Sequence, residues 1–341
     1  MKINQHYRRG GRKVKPKKLF ALTIALAAAL NLTGCGGGGS EKKADLPKKS
    51  VPPIVEMVQK EGVELKNKNV SLKALKLESD VKALSTGAYM PQMCYMDGAF
   101  YAIAKNKDMM KLVLKDKKLV VGQPTLAKNV SFITGVAGDR LFFRQQEQGK
   151  IRTHGLEKDK DMGEIYANLG YLTPTTDKNN ALAWTNSGAF LKTQAKSDGT
   201  FPVPNAKQAG GYLPQNDPYI TCGWFSVHGN RALVKGRIKS DAPNTVYIRE
   251  HELDMRQVKA YGPNKDFNFG SFYLTDDYMV HARSNSKGLD IYSRKDAKLV
   301  ANFTPKELGI NSTYGCQIDG NTIALLDHWT GNPKLVLIAF K

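Results

Sequence analysis

Six short apolar segments of this chain each run into a polar turn and restart as a second apolar segment, and the spacing of those turns constrains the fold more than any other feature. They fall at Asp97, Gly138, Asn179, Gly229, Asp276 and Asp319, separated by 41, 41, 50, 47 and 43 residues. Each turn is built on Asp, Asn or Gly, the residues that take the left-handed backbone of a tight hairpin at least cost. A third apolar segment recurs at residues 110–114, 245–249, 288–292 and 334–340, and a fourth at 257–261 and 298–303. Helical periodicity is confined to a turn or two at 54–60 and 305–308.

Repeats of about 40 to 50 residues that each supply up to four antiparallel strands predict an all-β fold, a β-propeller with one repeat per blade. Six hairpins predict six blades. The last turn is followed by only 22 residues, enough for three strands, so the final blade needs an outer strand from elsewhere. The alternating segment at 70–77 lies upstream of the first hairpin and is predicted to close the ring as an N-terminal strand, leaving no long exposed edge. In period and pattern, residues from about 65 to 341 resemble six-bladed propellers of the TolB-like bacterial envelope kind. The Ser-Pro-Asp-Gly run common in such repeats survives as Asp97-Gly98 and Asp319-Gly320. The resemblance implies an architecture and carries over no functional residue.

The N-terminus predicts an address. Residues 1–18 hold eight basic side chains and no acidic one, and 19–30 are almost wholly apolar, the order found in a secretory signal. Leu32-Thr33-Gly34-Cys35 follows and resembles the lipobox of bacterial lipoproteins, which implies cleavage before Cys35 and attachment of palmitate-type fatty chains there. Each buried CH₂ of such chains contributes about 0.8 kcal/mol to membrane binding. The chain therefore divides into a signal peptide (1–34), a lipidated Cys35 with a Gly/Lys/Pro tether (35–53) and a propeller domain (54–341). A coil of the tether's length reaches about 20 to 25 Å. Gly36 after the cysteine resembles the sorting default toward an outer membrane. The expected location is the cell envelope, on its periplasmic or extracellular side.

The sequence carries 51 basic and 31 acidic residues, a net +20, and eight of the basic ones fall within residues 1–34, so the remainder is still at +12. At an envelope that balance suits anionic lipid, wall polymer or an acidic partner. It equally suits lysines spread over strand edges to discourage sheet-to-sheet association. No zinc-finger spacing, helix-turn-helix pattern or RNP-like motif points to nucleic acid.

Signals for catalysis are weak. His154, His228, His251, His281 and His328 include no short-spaced pair of the zinc-binding kind, and no Gly-rich phosphate loop or nucleophile elbow occurs. Residues 196–201 depart from the sialidase box in spacing and lack its Trp. The acids at 97, 139, 276 and 319 are predicted at the ring end opposite the calcium site of lactonase-like propellers. No metal or other cofactor is predicted, and a binding role is favoured over an enzymatic one. Cys94 and Cys316 each stand three residues before a turn Asp, in repeats that ring closure makes neighbours. A disulfide between them and a pair of buried free thiols both stay open, with Cys222 left over.

A ligand or partner surface is predicted where the chain passes from an outermost strand to the next innermost one. Those segments repeatedly combine a Tyr or Phe with Asn, Ser or Thr, a chemistry suited to peptides and sugars and equally to core packing and turn capping. Tyr171, Tyr212, Tyr219, Phe269 and Tyr314 are the predicted contacts. The function expected is a membrane-anchored interaction scaffold for an envelope protein or glycan, the alternative being a hydrolase or capture protein for glycan or peptide.

Overall fold

The structure, a computed structural model, describes residues 51–84, 92–167, 170–184, 190–203, 219–238, 245–254, 256–283, 287–310, 314–327 and 333–341. Pro53 opens α1 (Pro53–Glu61), a position where its missing N–H leaves no bond unmade, and Ile54, Val55 and Val58 fall on one buried face. A hairpin follows, β1 (Val63–Asn67) and β2 (Val70–Ser79), in antiparallel register. The chain then makes a series of up-and-down groups. The first is β3 (Met93–Met96), β4 (Ala99–Ile103), β5 (Met109–Lys115) and β6 (Lys118–Ala127). The second is β7 (Val130–Ala137), β8 (Arg140–Glu147), β9 (Lys150–Glu157) and β10 (Lys160–Tyr166). The third has three strands among the described residues, β11 (Tyr171–Pro174), β12 (Asn180–Trp184) and β13 (Phe190–Gln194). The fourth is β14 (Tyr219–His228), β15 (Arg231–Ile238), β16 (Tyr247–Glu252) and β17 (Gln257–Tyr261). The fifth is β18 (Ser271–Leu274), β19 (Tyr278–Arg283), β20 (Gly288–Ser293) and β21 (Leu299–Phe303). After α2 (Pro305–Leu308) comes the last, β22 (Tyr314–Gln317), β23 (Thr322–Asp327) and β24 (Lys334–Phe340).

All six turns read from the sequence lie between the first and second strands of these groups. At the first, Asp97 and Gly98 both take left-handed φ, 50° and 82°, the geometry whose twist matches a hairpin. The alternating segment at 70–77 forms β2, which runs antiparallel to β24 from Leu72↔Phe340 to Glu78↔Lys334. Its far end also pairs in parallel with β6, at Glu78↔Lys118 and Ser79↔Leu119, a contact the sequence did not suggest. The first and last groups thereby join into one nine-stranded sheet around β2. The fold is all-β and propeller-like.

Each group packs face to face on the next. Leu141 and Phe143 meet Tyr101 and Met109 between the first and second groups, and Phe142 and Ile165 meet Leu172 and Ala181 between the second and third. Leu182 meets Ala232 and Val234 next, then Leu233 and Ile248 meet Phe272 and Met279. Val280 and Ile291 meet Ile323 and Ile338. The cluster between last and first groups holds Phe100, Leu112, Leu326 and Leu337, covered by Ile54, Val55 and Val58 of α1. Full burial of one such side chain contributes about 1.5 to 3 kcal/mol. The first strands also touch in series, β3 with β7, then β11, β14, β18 and β22, and β22 touches β3.

Cys94 and Cys316 are buried free thiols. Of the two readings left open by the sequence, the structure shows the unbonded one. Cys222 lies in β14.

Candidate functional site

Polar bonds between groups show which ends of the first strands lie together. Thr134 in β7 donates to the carbonyl of Leu172 at 2.5 Å, and Thr173 in β11 donates back to Thr134 at 2.9 Å. Gln317, the last residue of β22, donates to the carbonyl of Leu274, the last of β18, at 2.5 Å. Arg140 opens β8 and donates to the carbonyls of Thr175, Asp177 and Lys178 in the next group's turn. Starts adjoin starts and turns adjoin turns.

At the starting end stand the predicted contact residues. Tyr171 begins β11, Tyr219 begins β14, Phe269 lies two residues before β18, and Tyr314 begins β22. Tyr212 lies outside the described residues. The Tyr171 ring meets Phe132 edge-on at 5.4 Å, and the Arg144 guanidinium lies 4.7 Å from its centroid, close enough for a cation–π attraction. Tyr219 pairs with Ile238 across the hairpin. Tyr314 is half-buried, and that burial raises its phenol pKa.

Phe269 differs from the others in being 66% exposed. A short 3-10 turn at Lys265–Asn268 precedes it, capped by Asn264, whose side chain accepts from the Asp266 N–H and donates to the Tyr292 hydroxyl at 3.0 Å. Phe267 points the other way, into a nest of Phe272, His281 and Tyr292. The Phe269 carbonyl accepts from His281 Nε2 at 2.8 Å, which fixes the proton on that nitrogen. His281 Nδ1 faces Asp290 at 3.8 Å, and Arg283 bridges Asp290 and Asp266 at 3.4 and 3.3 Å. Burial by itself raises the Asp290 carboxyl, but the nearby His281 ring, a bond from Asn302 and the Arg283 charge hold it below the ordinary carboxylate value. Gly270 has φ +102°, and a Cβ there would sit 2.3 Å from the Ala282 carbonyl.

At the opposite end several carboxylates are taken up by their own turns. Asp177, Asp198, Asp254 and Asp319 each accept the N–H two residues on, a turn-forming role. A groove of about 540 Å³ runs between the fourth and fifth groups at this end, lined by Arg231, Glu250, Lys259, Arg294 and Lys295 among others. Arg231, Glu250, Lys259 and Arg294 are engaged by neighbouring groups. Arg294 meets Glu250 at 2.5 Å and donates to the carbonyls of Thr275 and Asp276 at 2.8 and 2.9 Å. Arg231 meets Glu252 at 2.8 Å, and Lys259 donates to the carbonyls of Arg294 and Lys295. The groove follows the seam between the fourth and fifth groups. Sequence reading missed these bonds, although the repeated pattern of turn followed by Arg at Arg140 and Arg231 was a usable signal.

No protein-family model and no curated protein matches this chain. Among solved structures it is similar to a structural-genomics protein of unknown function from Bacteroides thetaiotaomicron, with 11% identity over 79% of this chain and 76% of that one, at a TM-score of 0.45. It is also similar to the WD40 β-propeller domain of Doa1, with 11% identity over 82% of this chain and 96% of that one, at a TM-score of 0.46. Likeness at this level carries no argument, and the architecture rests on the strand topology.

Proposed function

We propose that the chain is a six-bladed propeller closed by its N-terminal strand, held at the cell envelope by lipid on Cys35, and that it acts as an interaction scaffold for a protein partner. Support for the blade count comes from the six shared cores and the circuit of first-strand contacts. Support for anchoring comes from the order of basic, apolar and lipobox segments in residues 1–35. The observation that carries the binding reading is the shared end. Tyr171, Tyr219, Phe269 and Tyr314 enter at the starts of four different groups, whereas Asp177 and Asp319 at the other end are engaged in their own turns. Tyr212 belongs to the same proposed face by its place in the sequence.

Two experiments test it. Metabolic labelling with an alkynyl fatty acid tags the wild type and not Cys35→Ala, which leaves the membrane fraction; continued labelling of the variant rejects the anchor. Crosslinking and pull-down from envelope extracts recovers a partner that a Tyr171→Ala, Tyr314→Ala variant binds more weakly. Unchanged recovery with that folded variant, together with loss on substitution of the Asp97 or Asp319 turns, places the surface at the wrong end.

A further inference from the structure

Four lysines line the rim of the first group at its starting end. Lys105 and Lys107 lie in the turn from β4 to β5, and Lys128 precedes β7. Backbone bonds join these segments: the Lys105 N–H donates to the Ala83 carbonyl at 3.1 Å, beside Lys82, and the Lys107 carbonyl accepts the Val130 N–H at 2.8 Å, two residues after Lys128. All four lysines are exposed. The ion pairs of this region belong to Lys111, Lys117 and Lys118, and the four rim lysines take part in none among the described residues. Within 82–84, 105–108 and 128–129 they meet a single carboxylate, Asp108, which accepts from Asn106 and Thr125 at 3.0 and 3.2 Å. Asp80, just before, faces Lys118 at 3.8 Å.

The rim adjoins the place where the chain departs toward Cys35. Ile54 and Val55, in the first turn of α1, share one core with Val81, Leu84 and Ala104, which flank Lys82 and Lys105. Val51, just ahead of α1, is 52% exposed. Cys35 lies 16 residues before Val51, and a coil of that length reaches about 20 to 24 Å. A lipid on Cys35 would hold headgroups within that distance, so contact between them and the rim is intramolecular and gains from a high effective concentration. None of the large apolar side chains exposed among the described residues belongs to these segments, so the rim lacks the aromatic anchors that dominate protein interfaces. Clustered lysines without such anchors are what an anionic leaflet attracts. We propose that Lys82, Lys105, Lys107 and Lys128 seat the starting end of the first group on anionic phospholipid headgroups of the bilayer that holds Cys35. This inference rests on the lipid anchor at Cys35. The starting end then faces the bilayer, and the partner proposed for it is a protein held at the same membrane.

The test places the mature, lipid-bearing protein in nanodiscs of phosphatidylcholine alone, or of phosphatidylcholine and phosphatidylglycerol in equal parts. Lysine acetylation by a water-soluble reagent is then followed by peptide mapping. In the phosphatidylglycerol discs each rim lysine reacts about fivefold more slowly, the effect of one headgroup attraction per lysine. Lys160 and Lys196, exposed at the turn end, react equally in both discs. High salt removes the protection, because the lysines are exposed. A Lys105→Glu, Lys107→Glu, Lys128→Glu variant enters both discs, keeps the wild-type melting temperature and leaves Lys82 equally reactive in the two. Equal rim rates in the two discs, or protection of Lys160 and Lys196 to the same degree as the rim, overturns the proposal. Protection of the rim in whole envelopes but in neither disc assigns it to an acidic macromolecule and overturns it as well. Protein that enters neither disc rejects the anchor, and this proposal with it, whereas entry into both with equal rates rejects the rim contact alone.

Discussion

The Arg294 guanidinium meets the Glu250 carboxylate at 2.5 Å although 44 residues separate them, and the pair joins the fourth group to the fifth. Glu250 is 2% exposed and also accepts the Tyr261 hydroxyl at 2.8 Å, with Arg231 at 3.7 Å. Removing one partner of a buried pair leaves the other charge uncompensated, which costs about 3 to 5 kcal/mol. Arg231 remains near Glu250, so Arg294→Met is expected at the lower end of that range. Arg294→Met with Glu250→Gln should recover much of the loss, because no carboxylate is then stranded. Urea denaturation of the three proteins checks this, and a double variant no better than the single one contradicts it.

Truncation tests the N-terminal segment. Deletion through Val51 keeps Pro52, whose carbonyl accepts the first N–H groups of α1, together with every described element, and should leave the melting temperature unchanged. Deletion through Asn69 removes three buried aliphatic residues of α1, each contributing about 1.5 to 3 kcal/mol at full burial. Deletion through Ser79 also removes β2, exposing the edges of β24 and β6 together, and should abolish cooperative unfolding in a domain whose whole margin is about 5 to 15 kcal/mol. Three equal melting temperatures would falsify closure by β2.

His228 ends β14 and lies 2.6 Å from the Ser226 hydroxyl through Nε2. Loss of water around the ring lowers its pKa from 6.5 to about 4, against an opposing bond from Gln317. The folded protein therefore takes up this proton less readily than the unfolded chain. Stability is undiminished above pH 6.5 and declines as pH falls from there toward 4. Part of the residue remains open to solvent, so the decline is smaller than the 1.36 kcal/mol per pH unit of a fully enclosed ring. We expect about 1 kcal/mol of lost stability between pH 7 and pH 5, and a smaller loss in His228→Gln. Denaturation curves at both values decide it, and an identical loss in the variant counts against His228 as the source.

What the sequence made legible was local. Asp97-Gly98 and its five counterparts announce hairpins because the turn chemistry sits in adjacent residues. The alternation at 70–77 announced a strand, and the short stretch after Asp319 said where it was needed. The β2–β6 pairing was hidden because two residue pairs leave no periodic trace. Glu250 was hidden for another reason: in β16, Arg249, Glu250 and His251 are consecutively buried, so no alternation separates an inward face from an outward one. Phe269 could be chosen from its loop, but the hold of His281 and Gly270 on that loop is a matter of three-dimensional contact.

The last expectation concerns Cys94 and Cys316. Both are buried free thiols on the first strands of the first and last groups, which touch. Burial pushes both thiols well above their ordinary pKa, and for Cys94 the neighbouring Cys316 adds to the effect. The thiolate is the reactive form, so at neutral pH neither residue should react appreciably with iodoacetamide in the folded protein, and both should react once urea unfolds it. Peptide mapping by mass spectrometry follows each cysteine separately, keeping Cys222 out of the comparison. Rapid native alkylation of either residue, or recovery of a Cys94–Cys316 disulfide from oxidised protein that still melts cooperatively, would show that the seam between first and last groups opens more readily than its apolar packing implies.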